Sequence, residues 1–68
     1  MDFKIELLRK DIILKRSLSD RMGMRKCAKK IGISAATLSR IENGKLPDIL
    51  TLEKILKWLN EKPNKYFK

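Results

Sequence analysis

The stretch GISAATLSRIENGK, from Gly32 to Lys45, holds the side chains whose types and spacing could do chemistry. On a helical wheel of about 100° per residue, a group of small and polar side chains falls opposite Leu38: Ala36, Ser39, Arg40 and Asn43. An arginine guanidinium can bond guanine at two atoms, a serine hydroxyl can donate or accept, and an alanine methyl can pack against the methyl of thymine. The face is therefore suited to the base edges exposed in the major groove of a nucleic-acid duplex.

Two short helices with a tight connection must position this face. The spacing of apolar residues predicts one helix from Met24 to Ile31 and another from Ala35 to Asn43. Gly32 follows the first helix at the position where a left-handed conformation ends a helix, and Ser34 precedes the second as an N-cap. A three-residue connection containing glycine between two short amphipathic helices is typical of a helix-turn-helix.

The rest of the chain is predicted to form helices that complete one small core. We expect a first helix from Phe3 to Ser17, a turn at SLSDRMG, a fourth helix from an N-cap at Asp48 to about Asn60, and a last short helical turn from Pro63 to Tyr66-Phe67. The apolar side chains expected to face inward recur at spacings of three and four: Ile5, Leu7, Leu8, Ile12 and Leu14, then Cys27, Ala28, Ile31, Ile33, Leu38 and Ile41, then Leu52, Ile55, Leu56 and Leu59. The predicted fold class is all-α, a compact five-helix arrangement that forms a single domain over residues 1–68.

Net charge is +9 and is concentrated around the helix-turn-helix. Residues 21–45 carry seven basic residues and one acidic residue, a net of +6, whereas residues 1–20 carry +1 and residues 46–68 carry +2. A basic face of this kind is expected of a protein that binds a polyanion. One alternative is that these basic residues form only a solvated surface. Another is a basic module that binds membranes or RNA through charge alone. The division of the third helix into an inward and an outward face argues against the charge-only mode.

Composition excludes several classes of function. The chain has no histidine and one cysteine, Cys27, which excludes histidine chemistry, an intramolecular disulfide and a zinc site built from cysteine alone. No nucleophile stands with a base, and the sequence has no phosphate-binding loop or metal-binding cluster, so we expect neither an enzyme nor a cofactor. Apolar runs such as Ile12-Ile13-Leu14 are far too short to span a membrane, and the N-terminal residues lack a secretory signal. The expected location is the cytoplasm, on the nucleoid when the protein is bound to DNA.

Residues 22–59 resemble the Cro/lambda-repressor type of helix-turn-helix DNA-binding domain, and the five-helix plan extends the resemblance over nearly the whole chain. The residues that carry it are Ala28, Gly32, Ile33, Ser34, Thr37, Leu38, Ser39, Ile41, Glu42, Asn43 and Gly44, followed by Pro47, Leu52, Ile55 and Leu59. The resemblance implies a bacterial or phage transcriptional regulator, most simply a repressor, that binds double-stranded DNA sequence-specifically, usually as a homodimer on a two-fold operator. The alternative is an antitoxin or restriction–modification controller of the same fold that also binds a protein partner.

The resemblance also implies which residues meet the DNA. Its base-reading positions fall on Ala35, Ala36, Thr37 and Arg40, and the wheel adds Ser39. Its phosphate-binding positions fall on Met24 and Arg25, on Ser34 and Ser39, and on the loop Asn43-Gly44-Lys45. Many members begin the second helix with a glutamine that clamps a phosphate. Met24 stands at that position here, so the clamp would pass to Arg25 or Lys26.

Other matching residues have structural roles. Ala28 is small where the two helices cross, Gly32 and Ile33 form the turn, and Leu38 and Ile41 face inward. The family often pairs an arginine late in the first helix with the glutamate of the third, and one inserted residue in SLSDRMG brings Arg16 to that position. We predict an Arg16–Glu42 ion pair, because Glu42 lies beside Leu38 on the wheel and an unpaired buried carboxylate would be costly.

The single cysteine, Cys27, and the aromatic residues near the C-terminus also need an interpretation. Cys27 is expected to be a buried structural thiol rather than a redox sensor. Trp58 either packs beneath Tyr66 and Phe67, or the three aromatic residues belong to a dimer interface.

Overall fold

A computed structural model describes residues 3–18 and 23–67 of the chain. Within these ranges it contains four α-helices, α1 (Ile5–Leu18), α2 (Met24–Ile31), α3 (Ala35–Glu42) and α4 (Ile49–Leu59), and then a single 3-10 turn at Pro63–Lys65. The all-α prediction is confirmed, whereas the predicted count of five helices is not, since the described residues form four α-helices and one 3-10 turn. The last element stays a single turn because the chain leaves it at once: Tyr66 enters the core and Phe67 forms an antiparallel bridge with Phe3.

Local signals at the helix ends explain most of the element boundaries. Gly32 ends α2 with φ +96°, a conformation that costs glycine little. Ser34 and Asp48 are the N-caps of α3 and α4, and each accepts a hydrogen bond from a backbone N–H three residues later. Asn43 is the C-cap of α3, so that helix ends one residue earlier than predicted.

α1 differs from its prediction at both ends and on one face. It begins at Ile5 rather than Phe3 and continues through Leu18, so the turn expected at SLSDRMG starts later; Ser19–Met22 lie outside the described residues. Leu8 and Ile12 are fully buried, as expected, but Leu14 is 53% exposed and its assignment to the inward face is wrong. Leu14 follows Ile12 by about 200° on the helix, which turns it away from the core.

The core lies where α1 and α2 cross α3 and α4. Each helix supplies side chains that are at most 6% exposed: Leu8 and Ile12, Cys27, Ala28 and Ile31, Leu38 and Ile41, and Leu52, Ile55 and Leu56. Half-buried residues that pack against this cluster include Ile5, Leu7, Ile33 and Leu59. α3 therefore rests on α1 and α2, which also contact α4 on the other side of the core.

Tyr66 is a core residue, which the sequence analysis did not predict. It is 0% exposed, and its hydroxyl donates to Asp11 Oδ2 at 2.6 Å. The neighbouring Phe67 ring lies 5.0 Å from the ring of Phe3. Tyr66 is therefore not available to the dimer interface considered for the three aromatic residues. Trp58 instead lies half-buried against the core, with the Lys15 ammonium 5.0 Å from its ring.

Candidate nucleic-acid interface

α3 is held so that one side is buried and the opposite side is open to solvent. Leu38 and Ile41 are 0% and 2% exposed, which fixes the rotation of the helix about its axis. The opposite side presents three exposed side chains that the wheel had grouped together: Ala36, Arg40 and Asn43. A methyl, a guanidinium and a carboxamide thus face solvent along one side of an α-helix, an element that the major groove is wide enough to admit.

The other three base-reading candidates are half-buried. Ala35 packs against the core and is half-buried, so its methyl lies at the edge of the outward face. Thr37 and Ser39 lie on the two flanks of α3. The base-reading candidates that are exposed are therefore Ala36 and Arg40.

The hydroxyls of Ser34 and Thr37 bond each other at the start of α3. Ser34 Oγ accepts from the Thr37 N–H at 3.1 Å, and the Ser34 hydroxyl donates to Thr37 Oγ1 at 2.8 Å. Because the two hydroxyls share one hydrogen bond, only one of their two protons is left to donate outward. The two predicted DNA contacts at Ser34 and Thr37 are therefore coupled through the cap.

The predicted ion pair at the end of α3 is present. Arg16 Nε lies 3.1 Å from Glu42 Oε2, and Arg16 Nη2 lies 2.9 Å from Oε1, so the contact is bidentate. The side chains of Arg16 and Glu42 are 24% and 10% exposed, which reduces screening by solvent. The pair fastens the last turn of α3 to α1.

Arg9 also holds the end of α3, a contact that the sequence does not predict. Its Nε donates to the backbone carbonyl of Glu42 at 2.8 Å, while its Nη1 lies 2.7 Å from Glu6 Oε1. The guanidinium therefore lies at the C-terminal end of α3, where the helix dipole favours positive charge. The Glu6–Arg9 spacing is visible in the sequence, but no local signal points to a carbonyl 33 residues away.

The loop after α3 folds back onto the helix. Gly44 has φ +102°, its N–H bonds the Ile41 carbonyl at 3.0 Å, and the N–H of Lys45 bonds the Arg40 carbonyl at 2.9 Å. A cleft of about 470 Å³ lies between this loop, α3 and the start of α4, with Thr37, Arg40 and Lys45 on its walls. The fold thus brings the arginine of the reading face and the lysine of the loop to one surface.

The start of α2 presents backbone N–H groups and two cations. Gly23 is its N-cap and offers no side-chain acceptor to the first turn. Met24 packs its side chain against the core, so any contact that it makes with a phosphate goes through its backbone. Arg25 and Lys26 are exposed beside it.

The cations of the helix-turn-helix carry no acidic partner among the described residues. The ion pairs of residues 3–18 and 23–67 involve Arg9, Arg16 and Lys65, none of which belongs to α2, α3 or the loop. The exposed cations left without a carboxylate there are Arg25, Lys26, Lys29, Lys30, Arg40 and Lys45. Their charge is directed to solvent and is available to a polyanion.

Cys27 lies beneath this surface as a free, fully buried thiol, and burial raises its pKa above the usual 9.0. The part of the chain that is described contains no group of three metal-ligating side chains. Nor does any helix in those ranges have the length and apolar character needed to cross a membrane.

A protein-family model described as helix-turn-helix matches residues 5–65. The match begins at the first residue of α1 and ends at the last residue of the C-terminal turn. Comparisons with curated proteins and with solved structures found no match.

Proposed function

The chain belongs to the Cro/C1-type helix-turn-helix family of DNA-binding transcription regulators, and we propose that it is a repressor that reads a two-fold operator with α3. In this proposal α3 lies in the major groove, and two copies bind half-sites about one helical turn apart. Occupation of a promoter then blocks transcription.

One observation carries the proposal: α3 exposes Ala36 and Arg40 between cations that no described carboxylate neutralises. Arg40 is suited to bidentate bonding of a guanine, and Ala36 lets the helix approach the bases and pack against a thymine methyl. Lys45, Arg25 and Lys26 would neutralise phosphates on either side, with Asn43, Gly44 and the N–H of Met24 as further phosphate contacts.

Selection from a random duplex library at about physiological salt tests the proposal. We expect an enriched inverted repeat with half-sites about 10 base pairs apart, centre to centre. An unenriched pool whose retention falls with salt would overturn sequence-specific reading.

Arg40→Ala and Lys45→Ala form a matched pair for this test, because each removes one exposed cation near the same cleft. Arg40→Ala should relax the preference at one base position and cost about 1–3 kcal/mol on the selected site. Lys45→Ala should weaken all duplexes alike and lower the salt slope by about 1. Equal losses of specificity in the two variants would contradict the assignment of base reading to Arg40.

A second candidate function is favoured by the apolar face of α1. Leu14 and Leu18 are 53% and 77% exposed, and they border a groove of about 260 Å³ with charged residues at its rim. Such a surface suits a protein partner. An antitoxin or restriction–modification controller would use it while α3 binds DNA. A toxin or restriction gene beside the gene for this chain, and co-purification with its product, would favour this candidate.

A further inference from the structure

Arg9 brings a cation from α1 to the loop that follows α3. Its Nε donates to the carbonyl oxygen of Glu42 at 2.8 Å, and a Cβ added to Gly44 would lie 4.0 Å from its Nη1. The guanidinium therefore lies against the start of the loop Asn43-Gly44-Lys45, to which phosphate contacts are assigned above. Arg9 itself belongs neither to the helix-turn-helix nor to the residues assigned to DNA.

The Arg9 guanidinium has donors left for a further acceptor. An arginine side chain carries five N–H groups. One of them bonds the Glu42 carbonyl, and Nη1 bonds both carboxylate oxygens of Glu6 at 2.7 and 2.8 Å. The N–H groups of Nη2 make no hydrogen bond with the described residues, and the Arg9 side chain is 29% exposed. An acceptor beside the loop can therefore bond Nη2 while Nε keeps its contact with α3.

The carboxylate of Glu6 is easily displaced from Arg9. The Glu6 side chain is 78% exposed, and an ion pair at such an exposed position contributes little to stability. A phosphate that replaced it would take Nη1 and Nη2 together, in the two-pronged geometry that arginine forms with phosphate. The negative charge of a nearby duplex also repels the carboxylate. Exchange of Glu6 for a phosphate is therefore favoured when DNA lies along the loop.

A phosphate at the end of α3 requires cations close by. The C-terminal end of a helix carries partial negative charge, which disfavours an anion. Arg16 is already neutralised by the Glu42 carboxylate, so Lys45 and Arg9 are the cations left beside the loop. We propose that Arg9 binds a phosphate of duplex DNA, and that Glu6, which holds its guanidinium in the free protein, competes with that phosphate. This inference rests on the proposed function, because a duplex read by α3 is what brings a phosphate to the loop.

Fluorescence anisotropy of the full chain on two duplexes, the selected one and an unrelated one of the same length, tests the competition. The variant is Glu6→Gln, and its matched control is Glu61→Gln, which removes the same charge from another ion pair, the one with Lys65 at 2.9 Å. At about 0.15 M salt we expect Glu6→Gln to bind both duplexes about threefold more tightly than the wild type. We expect Glu61→Gln to stay within about 1.5-fold of the wild type, because charges act over only about 8 Å at this ionic strength.

Arg9→Gln separates a phosphate contact from a purely structural role. A residue that only positions α3 changes affinity but neutralises no phosphate, so its loss leaves the salt dependence as it was. We expect Arg9→Gln to reduce the magnitude of the slope of log affinity against log salt by about 0.9, the value for one phosphate. In the Arg9→Gln background, the further change Glu6→Gln should no longer strengthen binding. Circular dichroism shows whether Arg9→Gln is folded, and if it is not, the comparison of Glu6→Gln with Glu61→Gln decides alone.

Three results would overturn the inference: equal affinities of Glu6→Gln and Glu61→Gln, an unchanged salt slope in a folded Arg9→Gln variant, or a gain from Glu6→Gln that persists without Arg9. If the wild type selects an operator and any of these is found, the proposed function stands and the role of Arg9 fails. If no duplex is preferred but Glu6→Gln strengthens binding to both through Arg9, sequence-specific reading fails and the phosphate contact stands. A wild type that binds no duplex at all would overturn both.

Discussion

At the scale of the residue, Glu42 is the residue of α3 that α1 binds through two arginines. Its side chain binds Arg16 and its carbonyl oxygen accepts from Arg9, so two guanidiniums seven residues apart on α1 meet one residue of α3. Only the first contact could be predicted from the sequence, because the family resemblance implies an arginine late in the first helix and the wheel places Glu42 beside Leu38. A backbone carbonyl is the same in every residue and leaves no mark in the sequence.

Glu42→Gln should lower the free energy of unfolding by about 1–3 kcal/mol, because the largely buried guanidinium of Arg16 loses its charged partner. Urea denaturation measures the change. The matched control is Glu6→Gln, which should cost at most about 1 kcal/mol because the Glu6 side chain is 78% exposed. Equal stability of Glu42→Gln and wild type would show that the pair does not stabilise the fold.

A second residue-scale prediction concerns Asp11 and pH. Burial raises the pKa of Asp11, but hydrogen bonds from Tyr66 and Lys65 and the charge of Lys65 outweigh it, and the pKa lies below the usual 3.8. A lowered folded-state pKa contributes stability above the unfolded value that is lost as the pH falls through the folded value. Asp11→Asn should therefore destabilise the protein at about pH 6, and its difference from wild type should shrink below pH 3.8. A difference that stays constant down to about pH 2 would contradict this assignment.

At the scale of the element, the sequence predicts the start or end of a helix where a single capping residue determines it. Gly32, Ser34 and Asp48 act within a single turn of the chain, and the structure confirms the predicted start or end of the helix beside each. Leu14 was assigned wrongly although its position on the helix, about 200° from Ile12, turns it away from the core. Tyr66 was left open because its environment depends on distant contacts. The hydroxyl of Tyr66 bonds a carboxylate 55 residues away, which no local pattern encodes.

Gly44 has a φ of +102°, and the turn at this residue directs the loop back toward α3. Gly44→Ala should cost about 1–2 kcal/mol in unfolding free energy, because a Cβ is strained in the left-handed region. Gly44→Asn is the conservative comparison and should cost less, since asparagine tolerates positive φ better than alanine. Thermal denaturation of the three proteins gives the order, and an alanine variant more stable than the asparagine variant would contradict it.

At the scale of the whole molecule, charge is divided between a paired and an unpaired part. The Arg16–Glu42 ion pair ties α1 to α3 and the Lys65–Asp11 pair ties the C-terminal turn to α1, while the cations of α2, α3 and the loop face solvent. This division was only half predictable. The sequence locates the basic residues, but the three-dimensional contacts decide which of them the carboxylates neutralise.

Salt dependence of DNA binding follows from that division. The logarithm of affinity should fall linearly with the logarithm of salt concentration, with a slope of about −0.9 for each phosphate neutralised. Lys26→Gln should reduce the magnitude of this slope, whereas Lys65→Gln should leave it unchanged, because Lys65 already pairs with Asp11 and Glu61. Fluorescence anisotropy on one duplex measures both, and equal slopes for the two variants would place the DNA elsewhere on the molecule.

The rate at which Cys27 reacts with a labelling reagent can report how often the helix-turn-helix opens. Cys27 is the one cysteine of the chain, it lies in α2 with no exposed surface, and burial raises the pKa of its thiol. A thiol-reactive dye can therefore modify it only while α2 is detached from the core. The labelling rate in native buffer thus reports how often the helix-turn-helix opens, without any mutation. A bound duplex that holds α2 in place should slow the labelling rate in proportion to the fraction of protein bound. The same thiol therefore measures both how often the fold opens and how far DNA suppresses that opening.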